Sequence, residues 1–97
     1  MDLQKIINQE NTTIVDVRES FETYLGKAKG AINIPLGTIA KRVEEFRQMS
    51  KPIVVYCRSG NRSGQAMNYL KAQGIEEVYN GGSLSEVKAL LKNKVAA

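Results

Sequence analysis

A lone cysteine stands between an apolar run and a loop suited to holding an anion. Cys57 follows Pro52-Ile53-Val54-Val55-Tyr56 and precedes Arg58-Ser59-Gly60-Asn61-Arg62-Ser63-Gly64, a polar turn with two arginines. A helical stretch then begins, Gln65-Ala66-Met67-Asn68-Tyr69-Leu70. A strand, a tight glycine-containing loop and a helix N-terminus make a cradle of main-chain N–H groups that favours negative charge. A free thiol is mostly neutral near pH ~7. A helix N-terminus contributes up to ~2 kcal/mol to a well-placed anion, which draws the thiol toward ionisation. Arg58 or Arg62 would push it further if either pointed inward. Cys57 is therefore expected to be substantially thiolate at neutral pH and to attack an anionic substrate. The opposing reading is a buried, inert cysteine, the common state of free cysteines. A loop of Arg, Ser, Gly and Asn is a poor place for a core residue, so the reactive reading is preferred.

Spacing narrows the reaction. Arg58 directly follows Cys57 and is the first choice for steering an anion, with Arg62 second. The amides from Arg58 through Ser59, Gly60, Asn61 and Arg62 to Ser63 are the expected substrate cradle. Cys57 and Arg62 have four residues between them. Cysteine phosphatases resemble this loop but carry five, a longer ring that cups a tetrahedral phosphate. The shorter ring is better matched to one sulfur atom bound to the thiolate. The chain has no histidine, which excludes Cys-His and Ser-His-Asp catalysis and argues against zinc. Sulfur transfer from thiosulfate tolerates that lack, because sulfite leaves without a general acid.

The chain has 97 residues, 42% hydrophobic and 25% charged, and is read as one domain over 1–97. No run approaches bilayer length. Met1-Asp2-Leu3-Gln4-Lys5 is not a basic segment leading into an apolar one, so no signal peptide is read. One cysteine cannot form an internal disulfide, which fits a reducing compartment. The expectation is a cytoplasmic protein, or a periplasmic one if a signal has been removed. A net charge of +4 favours anionic ligands but falls short of a nucleic-acid binder. Neither a cofactor, a metal nor a membrane partner is expected.

The elements around the loop read as alternating helices and strands. Leu3, Ile6 and Ile7 have helical spacing. Thr12-Thr13-Ile14-Val15-Asp16-Val17 reads as a strand, Glu19 to Leu25 as a short helix ending near Gly26, and Ala31-Ile32-Asn33-Ile34 as a second strand. Leu36, Ile39, Val43 and Phe46 mark one helix face running to about Met49. Pro52 to Tyr56 reads as a fully buried strand. A helix from about Ser63 to Gln73 with Gly74 as C-cap follows, then a strand at Glu77-Val78-Tyr79-Asn80 and a turn at Gly81-Gly82. Leu84, Val87, Leu90 and Leu91 define a last helix, with fraying expected after Lys92. This order predicts an α/β fold, a parallel sheet covered on both faces, with its ligand site at the strands' carboxyl ends. Cys57 lies at such an end.

In its short single-domain form, the rhodanese (thiosulfate sulfurtransferase) family resembles nearly the whole chain. Asp16-Val17-Arg18-Glu19 with Glu22 is similar to the family's first motif, and Gly30-Ala31-Ile32-Asn33-Ile34-Pro35 to its second. Val55-Tyr56-Cys57-Arg58-Ser59-Gly60-Asn61-Arg62-Ser63 is similar to the active loop, and Val78-Tyr79-Asn80-Gly81-Gly82 to the closing motif. Ser63-Gly64-Gln65-Ala66 is similar to the small phage-shock rhodaneses. The resemblance implies a five-stranded parallel sheet flanked by helices and a Cys57 persulfide held by the loop amides. It implies thiosulfate or another sulfane-sulfur donor, and a thiol such as thioredoxin or glutathione, or cyanide, as acceptor. A protein-to-protein persulfide carrier, and a cysteine phosphatase or arsenate reductase of related fold, are the alternatives. Two positions depart from the family: Lys27 stands where His is frequent, and Ser83 where an aromatic follows the paired glycines.

The remaining polar residues read mainly as structural. Asp16 is expected to cap the end of its strand, with a hydrogen bond toward the loop as the alternative. Arg18 and Glu22, four apart, form a candidate pair worth ~0.3–0.5 kcal/mol if exposed. Lys27 and Lys29 are either a positive rim or a solvated loop. Tyr24, Tyr56, Tyr69 and Tyr79 read as packing residues.

Overall fold

β-Branched segments alternate with helical ones, and the computed structural model folds them into one parallel sheet between two layers of helices. It describes residues 2–95, with side chains through Leu91. The strands are β1 (Thr13–Asp16), β2 (Ile32–Asn33), β3 (Ile53–Cys57) and β4 (Val78–Ser83). The helices are α1 (Leu3–Ile7), α2 (Val43–Gln48), α3 (Asn61–Ala72) and α4 (Leu84–Val95). Two 3-10 helices, Ser20–Leu25 and Leu36–Arg42, complete the frame.

Sheet order is β2-β1-β3-β4, every neighbouring pair parallel. The sheet thus has four strands among the described residues, not the five expected. The four segments with strand-like sequence account for all of them. The other apolar segments repeat at helical spacing and leave no chain for a fifth.

β3 is buried along its whole length because both its faces are covered. Val55 and Cys57 face Phe46 of α2 and Ala66 and Leu70 of α3. Val54 and Tyr56 face Ile7 of α1 and Val87 of α4. Each such apolar side chain contributes about 1.5–3 kcal/mol on leaving water. Strand alternation therefore places the Cys57 side chain on the α2/α3 face and sends Tyr56 to the other.

Several boundaries differ from the expected ones. The stretch from Leu36 to Met49 is not one α-helix; a 3-10 turn runs to Arg42, where φ −119° and ψ 21° interrupt it. Gly37, Thr38 and Ile39 are weak α-formers, which suits the tighter turn there. Helix α3 starts at Asn61, two residues before the expected Ser63, and Gly74 ends it as expected, with φ +90° and with the Gly74 and Ile75 N–H groups donating to the Lys71 and Leu70 carbonyls. Gly81 and Gly82 are not a turn but part of β4, which continues to Ser83. Pairing slips by one residue between Val55 and Tyr56, opposite Asn80 and Gly82, so Gly81 is bulged out of the ladder. Helix α4 continues to Val95, past Lys92; residues 96–97 lie outside the described residues. Of the tyrosines, Tyr56 is fully buried, but Tyr24 is 88% exposed and does not pack.

Candidate active site

The loop after β3 closes on the sulfur of Cys57. The Gly60 N–H donates to Sγ at 3.0 Å and the Ser63 N–H at 3.4 Å. The Ser63 hydroxyl lies 3.5 Å from the same atom. Gly60 makes this possible with φ +94°, and its backbone runs so near Gly82 that an added Cβ would lie 3.3 Å from Gly82 Cα. A side chain there would strain the turn and press on β4.

Opposing forces act on the thiol. Burial pushes it up. The Ser63 hydroxyl and the amides of Ser63, Ser59 and Gly60 outweigh burial and hold the Cys57 thiol below its ordinary value. The side chain is nevertheless fully enclosed. It forms the floor of the cradle rather than its mouth, because β3 carries it into the α3 layer.

Asn80 of β4 fixes the loop from behind. Asn80 Nδ2 donates to the Gly60 carbonyl at 3.0 Å, and Asn80 Oδ1 accepts from the Ser63 hydroxyl at 2.7 Å and the Gly82 N–H at 2.9 Å. The β4 bulge re-aims this strand end toward the loop. Asn80 was legible as part of a strand and of the closing motif Val78-Tyr79-Asn80-Gly81-Gly82, but not as a group that holds the loop; an Asn before paired glycines at a strand end is the available signal.

The two loop arginines have different surroundings. Arg58 is exposed and forms no ion pair among the described residues. Arg62 does not point to open solvent: it grips Glu22 with two hydrogen bonds, Nη1–Oε1 at 2.7 Å and Nη2–Oε2 at 3.0 Å. The Arg62 guanidinium, helped by the Glu19 N–H, holds the Glu22 carboxyl down to about 2. Glu22 is therefore not the carboxylate partner of Arg18, as its spacing suggested; only its carbonyl accepts from Arg18 Nη1, at 3.3 Å. Ser59 and Asn61 are exposed on the loop.

Asp16 and Arg18 form a buried pair, Oδ2–Nη2 at 2.6 Å. Asp16 Oδ1 also accepts from the Arg18 N–H at 3.0 Å, which caps the strand end, and Oδ2 accepts from the Tyr56 hydroxyl at 2.8 Å. Neither oxygen bonds to the Cys57 loop. Burial, together with the Asp16 hydrogen bond and charge, pushes the Tyr56 hydroxyl up to about 12 even against the Ala28 amide that lowers it. Arg18 Nη2 also donates to the Gly26 carbonyl at 2.7 Å. Lys27 and Lys29 are exposed. No group of His, Cys, Asp or Glu among the described residues is arranged to hold a metal ion.

The family model of the rhodanese-like domain matches residues 1–90. The chain belongs to the rhodanese-like family. A sulfurtransferase of Allochromatium vinosum is 36% identical over 79% of this chain and 71% of its own length. YrkF of Bacillus subtilis, provisionally named a sulfur carrier protein, is 38% identical over 79% of this chain. This chain spans only 41% of YrkF and 52% of YqhL, another Bacillus subtilis relative. A tRNA uridine(34) hydroxylase of Sinorhizobium medicae is 33% identical over 92% of this chain, which spans 30% of it. Among solved structures, a rhodanese with anions from E. coli aligns with TM-score 0.67 and 35% identity, covering 77% of this chain and 89% of that one. The rhodanese-like fold, a parallel sheet flanked by helices, is thus common to this chain and its relatives. No described helix is long and apolar enough to cross a membrane.

Proposed function

We propose that this rhodanese-like domain is a sulfurtransferase in which Cys57 carries the sulfur. The observation that supports it most directly is the convergence of the Gly60 and Ser63 N–H groups on Sγ, at 3.0 and 3.4 Å. Donors aimed at one atom stabilise the charge that develops there and are already in place when it does. The Cys57 thiolate attacks the outer sulfur of thiosulfate. The S–S bond of thiosulfate breaks, its electron pair leaves on sulfite, and a Cys57 persulfide anion remains. An acceptor thiolate or cyanide then attacks the outer sulfur of the persulfide and returns the electron pair to Cys57. Arg58, Ser59, Asn61 and Arg62 complete the ring around the site. Since Sγ is enclosed, a donor enters by local opening at the exposed Arg58 and Ser59 while Gly60 and Ser63, held by Asn80, stay in place.

Two features weigh against an oxyanion cup of the phosphatase or arsenate reductase kind. The ring is one residue shorter, and Arg62, its second cation, is already neutralised by Glu22. A protein-to-protein carrier of persulfide sulfur remains the second reading, supported by the resemblance to YrkF. Intact-mass measurement after thiosulfate exposure tests the primary reading. The wild type should gain one sulfur atom and Cys57→Ser none. Phosphatase turnover without the adduct would reverse the ranking. A high thiocyanate yield from thiosulfate and cyanide would disfavour the carrier reading.

A further inference from the structure

The large hydrophobic side chains left in water are concentrated beside the loop. Phe21, Tyr24 and Leu25 are 70%, 88% and 96% exposed, all within the 3-10 helix Ser20–Leu25. In a 3-10 turn Phe21 and Tyr24, three residues apart, stand one above the other, and Leu25 follows Tyr24 at the end of the same short turn. The backbone beneath them is held firmly. A Glu19–Glu22 capping box closes the start, and Arg18 donates to the Glu22 and Gly26 carbonyls. Glu22, in the middle, is gripped by Arg62 of the Cys57 loop. The chain thus orders this segment without burying its apolar side chains, so the fold gains little from them. Rigid aromatic and aliphatic anchors of this kind lower the ordering cost of association.

The surrounding charge is positive. Lys27 and Lys29 follow the segment directly, Lys88 Nζ approaches Gly26, and Arg58 lies in the loop. None of these four forms an ion pair among the described residues, whereas Arg42 and Arg47 on α2 each have a glutamate. The carboxylates Glu19 and Glu86 accept from the Glu22 and Ser83 N–H groups and keep their charge, so against these four cations the balance is reduced but still positive.

We propose that the Phe21-Tyr24-Leu25 face, with its lysine rim, docks an acidic protein that presents a thiol to Cys57. The inference rests on the sulfurtransferase reading and names the acceptor class. A second copy of this basic chain would set lysines against lysines, and a lipid surface brings no thiol to the loop. In the docked complex the partner's thiolate attacks the outer sulfur of the Cys57 persulfide. The S–S bond to Cys57 breaks, its electron pair returns to Sγ as thiolate, and the partner leaves as a persulfide anion carrying the sulfur.

The test loads Cys57 from thiosulfate, removes the excess, and follows discharge by mass. The acceptors are thioredoxin, as a small acidic dithiol protein, and dithiothreitol at equal thiol concentration. Wild type should discharge faster to thioredoxin, and that advantage should shrink with added salt. The variant Phe21→Ser/Tyr24→Ser/Leu25→Ser should lose roughly ten-fold or more toward thioredoxin and keep its rate with dithiothreitol. Lys27→Glu/Lys29→Glu should show the same selectivity to a smaller extent. Equal loss with both acceptors, or no loss with thioredoxin, overturns the proposal. So does dimerisation or binding to phosphatidylglycerol vesicles that the triple variant abolishes while thioredoxin discharge stays unchanged. Failure to load Cys57 at all would sink the sulfurtransferase reading and this surface with it; loading followed by unselective discharge would sink the surface alone.

Discussion

The Ser63 hydroxyl has one proton and two claims on it. In the resting geometry it lies 2.7 Å from Asn80 Oδ1 and 3.5 Å from Cys57 Sγ. The shorter contact takes the proton while Cys57 is a neutral thiol. When Sγ becomes an anion, the hydroxyl can turn to it, gaining a hydrogen bond to a charge at ~1.5–3 kcal/mol and losing a neutral one at ~0.5–1.5. The net help to the thiolate is therefore about 1 kcal/mol, or about a five-fold change in its population. Ser63→Ala keeps the Ser63 N–H on Sγ and removes only this contribution. Below the thiol's titration range, Ser63→Ala should react with iodoacetamide about five-fold more slowly than wild type. At high pH, where both are fully ionised, the two plateaus should coincide. The pH–rate profile of alkylation measures both arms. Identical profiles would show that the amides alone hold the anion. A lowered plateau would mean that the substitution had altered access, and the proton-sharing argument would be wrong.

Three further outcomes follow from the contacts around the site. Glu22 titrates at about 2 in the fold against an ordinary 4.5, so its contribution to stability is present above 4.5 and lost as pH falls toward 2; urea midpoints of wild type and Glu22→Gln should converge as the pH drops through that window, and a constant gap would contradict the pairing. Asp16→Ala leaves the Arg18 guanidinium buried and unpaired and should cost about 3–5 kcal/mol in urea unfolding; a loss below ~1 kcal/mol would mean water reaches Arg18 freely. At Gly81 an added Cβ would stand 2.8 Å from Val54 Cγ1 and 2.9 Å from Val87 Cγ2, so Gly81→Ala should destabilise by about 1–3 kcal/mol in thermal or urea melts, and an unchanged melt would refute the tight fit.

The fold class was legible because β-branched and helical periods alternate cleanly, as in Thr13–Asp16 against Leu84–Leu91. The Cys57 loop was legible because its residue types make sense only at a strand-to-helix turn. Partners set by tertiary packing were not. Glu22 is four residues from Arg18 and forty from Arg62, yet its carboxylate goes to the distant one, because Arg18 is already held by a buried Asp16. The β4 bulge was also hidden. Paired glycines in a sequence read as a turn, and only pairing against Tyr56 shows that the strand continues past them. Enclosure of Cys57 follows from strand alternation into the α3 layer, which composition of the loop alone does not convey.

The near-contact between Gly60 and Gly82 limits how this loop can change. At Gly60 the loop lies against the main chain of β4 at Gly82, not against a side chain that could be trimmed. Lengthening the ring by one residue to cup a larger oxyanion would push it against that wall. A switch of chemistry by insertion would therefore need a simultaneous retreat of the strand tail, and the tail runs without a linker from Ser83 into helix α4. The size of the ring is in this sense built into the architecture, and diversification is easier at the exposed rim than at the ring itself.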